Sequence, residues 1–376
     1  MIVQTNQFKS LLLVVTFLIV HCASVNAINR NFVNPQLGDR VIDLAVEAGH
    51  TLDDIRYSLG NVIMASQTIT DPGYFMLGDN IEGSLIIDTD DIWLDLNNFQ
   101  ITGTTKLINI QPGNKNITIT NGFLKGADIS SASGVYISPG NCSVKIENIF
   151  IEGCQKGIHV DGNLTATTEN GLLTKCTFSK CNKAVVLNYV NNFIFRYCEA
   201  LKCNEVGFEL TNSKLNKFEI CEVLTILNND PDTPIFGFSS TLGSGNLFLS
   251  CVVEGVQKEL SNSSINATGF LFEEETKSYI ANNLINKIEV SGSGKAYGIN
   301  LIATCTQNSV IQNDISNITG ETDGIGIEGD DTQNVIMQNI SYENDTAYVG
   351  LTPANIYTGG TSGSPGNLIN VQIPPY

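Results

Sequence analysis

A short pattern recurs along this chain every 22–32 residues: a small residue, an apolar one, any residue, then another apolar one. It reads "GVYIS" from Gly134, "GIHVD" from Gly157, "AVVLN" from Ala184 and "GFELT" from Gly207. It continues as "GFSST" from Gly237, "GFLFE" from Gly269, "GINLI" from Gly298 and "GIGIE" from Gly324. "SLIID" at Ser84 and "KLINI" at Lys106 look like earlier copies, and "YVGLT" at Tyr348 like a late, imperfect one. A period of this length points to a repeat architecture.

A second pattern follows each copy of the first, as in "NITITNGFLKG" (116–126), "NGLLTKCTFSKC" (170–181) and "NSVIQNDISNI" (308–318). Both patterns alternate with a period of two, which is the period of a strand. Turn-forming Asn, Gly, Ser and Asp separate them. A unit this small with three short strands cannot bury its own apolar side, but stacked units close a continuous core. The expected fold is therefore an all-β solenoid, a parallel β-helix of about ten three-strand rungs, with neighbouring rungs ~4.8 Å apart. Leucine-rich repeats have similar length, but their regular Leu spacing is absent. An Asn or Cys sits near the middle of the second pattern: Asn121, Asn148, Cys176, Cys198, Cys221, Cys251, Asn283, Asn313 and Asn339. A bend between strands favours a left-handed residue, and Asn tolerates that region. Stacked Asn amides also bond one another along an axis.

The ends read differently. Residues 1–27 have Lys9, the apolar run "LLLVVTFLIV" and small Ala27, the layout of a signal peptide cleaved near Ala27. The apolar run is short for a membrane span, so no transmembrane anchor is expected. Residues 28–80 form an N-terminal segment in which 38–60 suggest a short helix, placed to cap the first rung. The solenoid is expected over 81–355, and the Gly- and Pro-rich 356–376 as a tail or cap.

Acidic residues outnumber basic ones 38 to 20, giving a formal charge of −18. Removing Lys9 with the leader makes it −18 − 1 = −19. Such a surface repels nucleic acid, which binds through Lys and Arg. It also repels a polyanionic glycan unless a cation bridges the two.

"TITDPGYFMLGDNIEGSLIIDTDDIWLDLNNFQITGT" (68–104) resembles the opening rungs of secreted right-handed parallel β-helix proteins of the pectin-lyase-like superfamily. The matching residues are Pro72-Gly73-Tyr74, Leu94-Asp95-Leu96-Asn97 and Ile101-Thr102-Gly103, and the resemblance covers about 68 to 350. It implies a right-handed, single-stranded helix and a choice among polysaccharide lyases and hydrolases, tailspikes and non-catalytic surface proteins. Lyases of this fold typically use Arg or Lys as base, with calcium. Of Arg30, Arg40, Arg56 and Arg196, only Arg196 lies in the rungs. Polygalacturonases carry Asn-Thr-Asp, Asp-Asp, Gly-His-Gly and Arg-x-Lys. Here "ETDG" (321–324) offers Asp323 with Glu321 in place of Asn, Asp345-Thr346-Ala347 stands where the paired Asp belongs, and the last two motifs are missing.

Alternation in the first pattern sends every second residue outward. The outward positions are Tyr136 and Ser138, His159 and Asp161, Val186 and Asn188, Glu209 and Thr211, then Ser239 and Thr241. Asp161 and Glu209 are two rungs apart, ~9–10 Å by strand spacing, near the upper end of the ~6.5–9.5 Å of inverting glycosidases. Asp161, Glu209 and Asp323 are the catalytic candidates. Tyr136, His159, Asn188 and Thr211 are the candidate glycan contacts.

No cofactor is expected. "DTDD" (88–91), "NNDPDT" (228–233) and "FEEETK" (272–277) suit weak calcium binding at most, because none has a calcium-loop spacing. Cys176 to Cys198 and Cys181 to Cys203 are each 22 residues, one rung, so these thiols stack in columns and do not converge on a metal. The expected function is a secreted or cell-surface protein whose side face meets a polysaccharide, a cell-surface glycan or a partner. The alternatives are a polysaccharide hydrolase or lyase, and a structural spacer or adhesin.

Overall fold

The computed structural model describes residues 61–350, apart from 229, 231, 264 and 330–333. The expected signal peptide, the 38–60 helix, Arg30, Arg40, Arg56 and the 356–376 tail lie outside the described residues. Among those described, the strands pair in parallel in two sheets of 12 and 23 strands, and an isolated bridge between Asn163 and Ala166 is antiparallel. Each coil contributes one strand to the 12-stranded sheet, here the front sheet. The larger sheet takes the two arms of the second pattern, on either side of a bend.

The front sheet runs from Gln67–Ile69 to Thr346–Val349. Three details differ from the sequence reading. Pairing begins ahead of residue 81, because Gln67–Ile69 pairs with Leu85–Ile87 and Gly73–Leu77 with Ile92–Asp95. The last strand aligns Ile325 with Thr346 and Ile327 with Tyr348, so the late copy starts at Asp345, not Tyr348. Lys106 aligns with Ser133 and Ile108 with Val135, so the "KLINI" copy is displaced by one residue. A one-residue slip exchanges the faces of a strand. Lys106 and Asn109 therefore share the outward face with Tyr136.

The core is apolar and continuous. Phe195, Phe218 and Phe248 stack with centroids 4.5 and 5.0 Å apart. Phe208, Phe238 and Phe270 form a second stack at 4.9 and 4.7 Å, and Phe218 meets Phe238 edge-on at 5.7 Å. The small residue that opens each front strand points into this core. A Cβ on Gly207 would lie 2.5 Å from the Gly237 carbonyl, and one on Gly237 2.6 Å from that of Gly269. Close approach between coils therefore favours Gly here.

The mid-pattern Asn and Cys serve two purposes. Asn121 and Asn148 do take the left-handed conformation at the bend, each with φ 56°. From the next coil onward the bend moves one residue earlier, to Lys175, Tyr197, Ile220, Ser250, Asn282, Gln312 and Gln338. The Cys or Asn that follows then points inward. The Asn283 backbone N–H donates to Asn313 Oδ1 at 3.0 Å, and that of Asn313 to Asn339 Oδ1 at 2.9 Å. A second ladder runs Asn216, Asn246, Ser278, Asn308, Asn334, each backbone N–H bonded to the next side-chain oxygen. These side chains satisfy buried donors where the strands break.

The cysteines pack as apolar filler in both columns. Cys176, Cys198, Cys221 and Cys251 are fully buried, as are Cys154, Cys181 and Cys203. Cys198 Sγ donates to the Leu173 carbonyl at 3.6 Å, and Cys251 Sγ to that of Phe218 at 3.7 Å. All nine thiols in the described residues are free, and Cys142 alone of them is not buried. No group of three or more His, Cys, Asp or Glu gathers to hold a metal among the described residues.

Two outcomes follow. Phe238→Ala opens a cavity between two stacks and should cost about 3–5 kcal/mol, read from the urea midpoint; a loss below about 1 kcal/mol would contradict the packing. Asn313→Ala strips the Asn283 N–H of its acceptor inside the core, a loss of about 1–3 kcal/mol by the same measurement.

Candidate functional site

The outward side chains of the front sheet form columns along the helix axis, because parallel pairing repeats one register from coil to coil. One column runs Asn109, Tyr136, His159, Val186, Glu209 and Ser239. A second runs Asp161, Asn188, Thr211 and Thr241. A third, on the other side of the first, holds Lys106, Ser133, Lys156 and Lys183. Sequence reading located the first two columns and missed the third. Its signal is the residue just before each repeat copy, as in "KGIHVD" and "KAVVLN".

Asp161 is the centre of a hydrogen-bonded cluster. Tyr136 Oη donates to its Oδ2 at 2.8 Å, and Asn188 Nδ2 to its Oδ1 at 2.8 Å. His159 Nε2 lies 3.0 Å from the same Oδ1. Lys156 Nζ is 3.4 Å from His159 Nδ1 and 3.2 Å from its Nε2. With its proton on Nε2, the imidazole donates to Asp161, and the Lys156 ammonium lies beside the ring, nearly equidistant from both nitrogens. Tyr136 meets His159 edge-on at 5.1 Å, and Lys106 Nζ sits 3.1 Å above the Tyr136 ring centroid. Such a cation over an aromatic face is attractive.

The titrations follow from these contacts. Burial alone would raise the Asp161 pKa, but hydrogen bonds from His159, Asn188 and Tyr136 overcome it and hold the carboxyl well below the usual carboxylate range. Burial, and then the bond to Asp161, push the Tyr136 hydroxyl up to about 12. Burial also pulls the Lys106 and Lys156 ammonium groups down, against the attraction of Asp161.

The remaining candidates stand apart. Glu209 accepts from Lys183 Nζ at 2.9 Å. It shares a column with His159, whereas Asp161 pairs along the other column through Asn188 to Thr211. The two residues are thus offset along the strand as well as two strands apart, which puts their Cα atoms ~12 Å apart from the ~4.8 Å and ~3.3 Å spacings of a sheet. Thr211 is half-buried in the Asp161 column, where it pairs in register with Asn188. Asp323 lies several coils away, 3.5 Å from Lys295 Nζ and accepting from Thr346 Oγ1 at 3.3 Å. Of the acidic stretches considered for calcium, Asp90 and Asp91 accept from Lys115 N and Asn116 Nδ2, and Asp230 accepts from Asp232 N and Thr233 Oγ1. Glu275 is fully buried and bonded to Ser240, Asn246 and Ser278.

The Tyr136 titration is directly measurable. Its pKa is raised on folding, so the stability it contributes is fully present below its unfolded pKa near ~10 and lost as pH rises through about 12. The alkaline absorbance titration of the wild type minus that of Tyr136→Phe should show one phenol titrating near 12. Asp161→Asn should move that phenol down towards the ordinary value; a phenol that stays put would place the cause elsewhere.

Residues 110–259 match the family model described as a right handed beta helix region. The fold is similar to that of the A-module of mannuronan C-5 epimerase AlgE4 from Azotobacter vinelandii, at 14% identity, over 81% of this chain and 93% of that one, with TM-score 0.48. It is also similar to the catalytic unit of a GH87 alpha-1,3-glucanase from Streptomyces thermodiastaticus, at 10% identity over 81% of this chain and 62% of that one, TM-score 0.48. A third likeness is to PfbA, a surface adhesin of Streptococcus pneumoniae, at 10% identity over 82% and 84%, TM-score 0.42. No curated protein matches the sequence. Over its described residues this chain is therefore an all-β parallel solenoid, and its segment 110–259 matches the right handed beta helix region.

Proposed function

We propose that the front sheet is a carbohydrate-binding face and that its ligand is an acidic glycan. One observation carries this reading: Tyr136, His159, Asp161 and Asn188 form one hydrogen-bonded cluster beside a column of three lysines, Lys106, Lys156 and Lys183. The chain as a whole is strongly acidic, so a local row of cations is the place where a uronate-type carboxylate meets attraction instead of repulsion. The half-buried phenol, imidazole and amide add directional partners for hydroxyl groups, already held in place by one another.

The carboxylates favour binding over hydrolysis. Hydrolysis wants two of them free to trade protons across a glycosidic bond. Asp161 is committed to three donors and Glu209 to Lys183. Export through residues 1–27 belongs to the same proposal, since it brings the face to extracellular polysaccharide.

Oligouronates from a glycan array should bind the wild type. Lys156→Ala and Lys183→Ala should each weaken binding about tenfold, or about 1.4 kcal/mol, and the affinity should fall with added salt. Unchanged affinity in both variants would contradict the assignment. Appearance of new reducing or unsaturated ends during the same incubation would instead favour an enzyme at this face.

A further inference from the structure

The chain has a single tryptophan, and the fold leaves it on the surface. Trp93 is 52% exposed and Tyr74, its register partner on the preceding coil, is 40% exposed. Their ring centroids are 6.3 Å apart at an interplanar angle of 57°. Both belong to the larger sheet, not the front sheet, and neither contributes to the cluster around Asp161. Scattered apolar residues on a surface are ordinary, but two adjacent exposed aromatic rings on successive coils make a platform.

The rim of this platform is polar and acidic. Asp95 lies in the strand that carries Trp93. Its Oδ1 accepts the Asn97 N–H at 2.8 Å and Asn121 Nδ2 at 3.3 Å, so the carboxylate is fixed. Its Oδ2 carries a long bond, 3.4 Å, from Tyr74 Oη. That oxygen retains acceptor capacity for a hydroxyl donor. Asp90 and Asp91 precede the same strand.

We propose that Tyr74, Trp93 and Asp95 form a second carbohydrate subsite, which takes a neutral sugar ring. The aromatic faces accept the apolar C–H side of a pyranose, and Asp95 Oδ2 accepts one of its hydroxyls. The acidic rim repels a uronate, so this subsite differs in charge preference from the lysine-lined front face. It is independent of the front-face reading, because it uses different residues on a different sheet.

Trp93 is the only indole, so its emission reports on this site alone. The full chain is titrated with neutral gluco-, manno- and xylo-oligosaccharides, with oligogalacturonate and with choline chloride. A blue shift of Trp93 emission is expected with at least one neutral series and absent with oligogalacturonate. Tyr74→Ala should weaken that binding at least tenfold; Lys156→Ala should leave it unchanged. Trp93→Phe keeps a ring in place and should retain retardation in affinity electrophoresis, whereas Trp93→Ala should abolish it with the far-UV spectrum intact. No shift with any neutral series overturns the proposal. So does a shift with choline, which would make the rings a cation site, or a ligand-free shift that grows with protein concentration, which would make them a contact between copies.

Discussion

The structure depends on backbone hydrogen bonding along the helix axis. Each coil is too short to bury its own apolar side, so its strands find partners only on the coils before and after. Parallel pairing then imposes one register on the whole stack. Every position in the repeat becomes a column, and each column must suit identical surroundings many times over. The interior columns hold stacked Phe rings, small thiols and amide ladders, which tolerate repetition. The columns on the outside are freed from packing and can hold chemistry.

Charge is arranged by the same rule. The surface is acidic overall, yet three of four consecutive front strands place a lysine in one column. Isolated lysines would repel one another there. Lys106 is held over the Tyr136 ring, Lys156 against His159 and Lys183 against Glu209, so each has a local partner. Asp161 at the centre links the phenol, imidazole and amide. Its members are held in place by one another; under the proposed reading, that lowers the ordering cost of recognition.

Much of this was legible in the sequence because a solenoid repeats. Period-two alternation gave the strands, and the outward sets Tyr136, His159, Asp161 and Asn188 fell together as spacing implied. The lysine column was not read, for two physical reasons. Lys156 and Lys183 precede the apolar motif that defined each copy, and Lys106 was framed one residue off, which sent it to the wrong face. The bend also moved: Asn121 and Asn148 are left-handed, but later coils turn one residue earlier, on Lys, Tyr, Ile, Ser, Asn or Gln, and of these only Asn282 carries a left-handed signature. The distance between Asp161 and Glu209 was underestimated because spacing along the axis ignores the offset along the strand. Trp93 and Tyr74 were not singled out as a pair because outward positions were followed only along the front-sheet pattern, although alternation in "IWLD" already sends Trp93 outward.

The most direct test of the front-face account is the imidazole spectrum of His159 during titration with an oligouronate. The chain has three histidines, and His159→Gln assigns the resonance. His159 lies between Asp161 and Lys156, so a ligand carboxylate drawn to the lysine column changes its surroundings at once. The expected result is a saturable shift of the His159 resonance with the affinity seen in binding. A ligand that binds with equal affinity while the His159 resonance stays fixed would contradict the account.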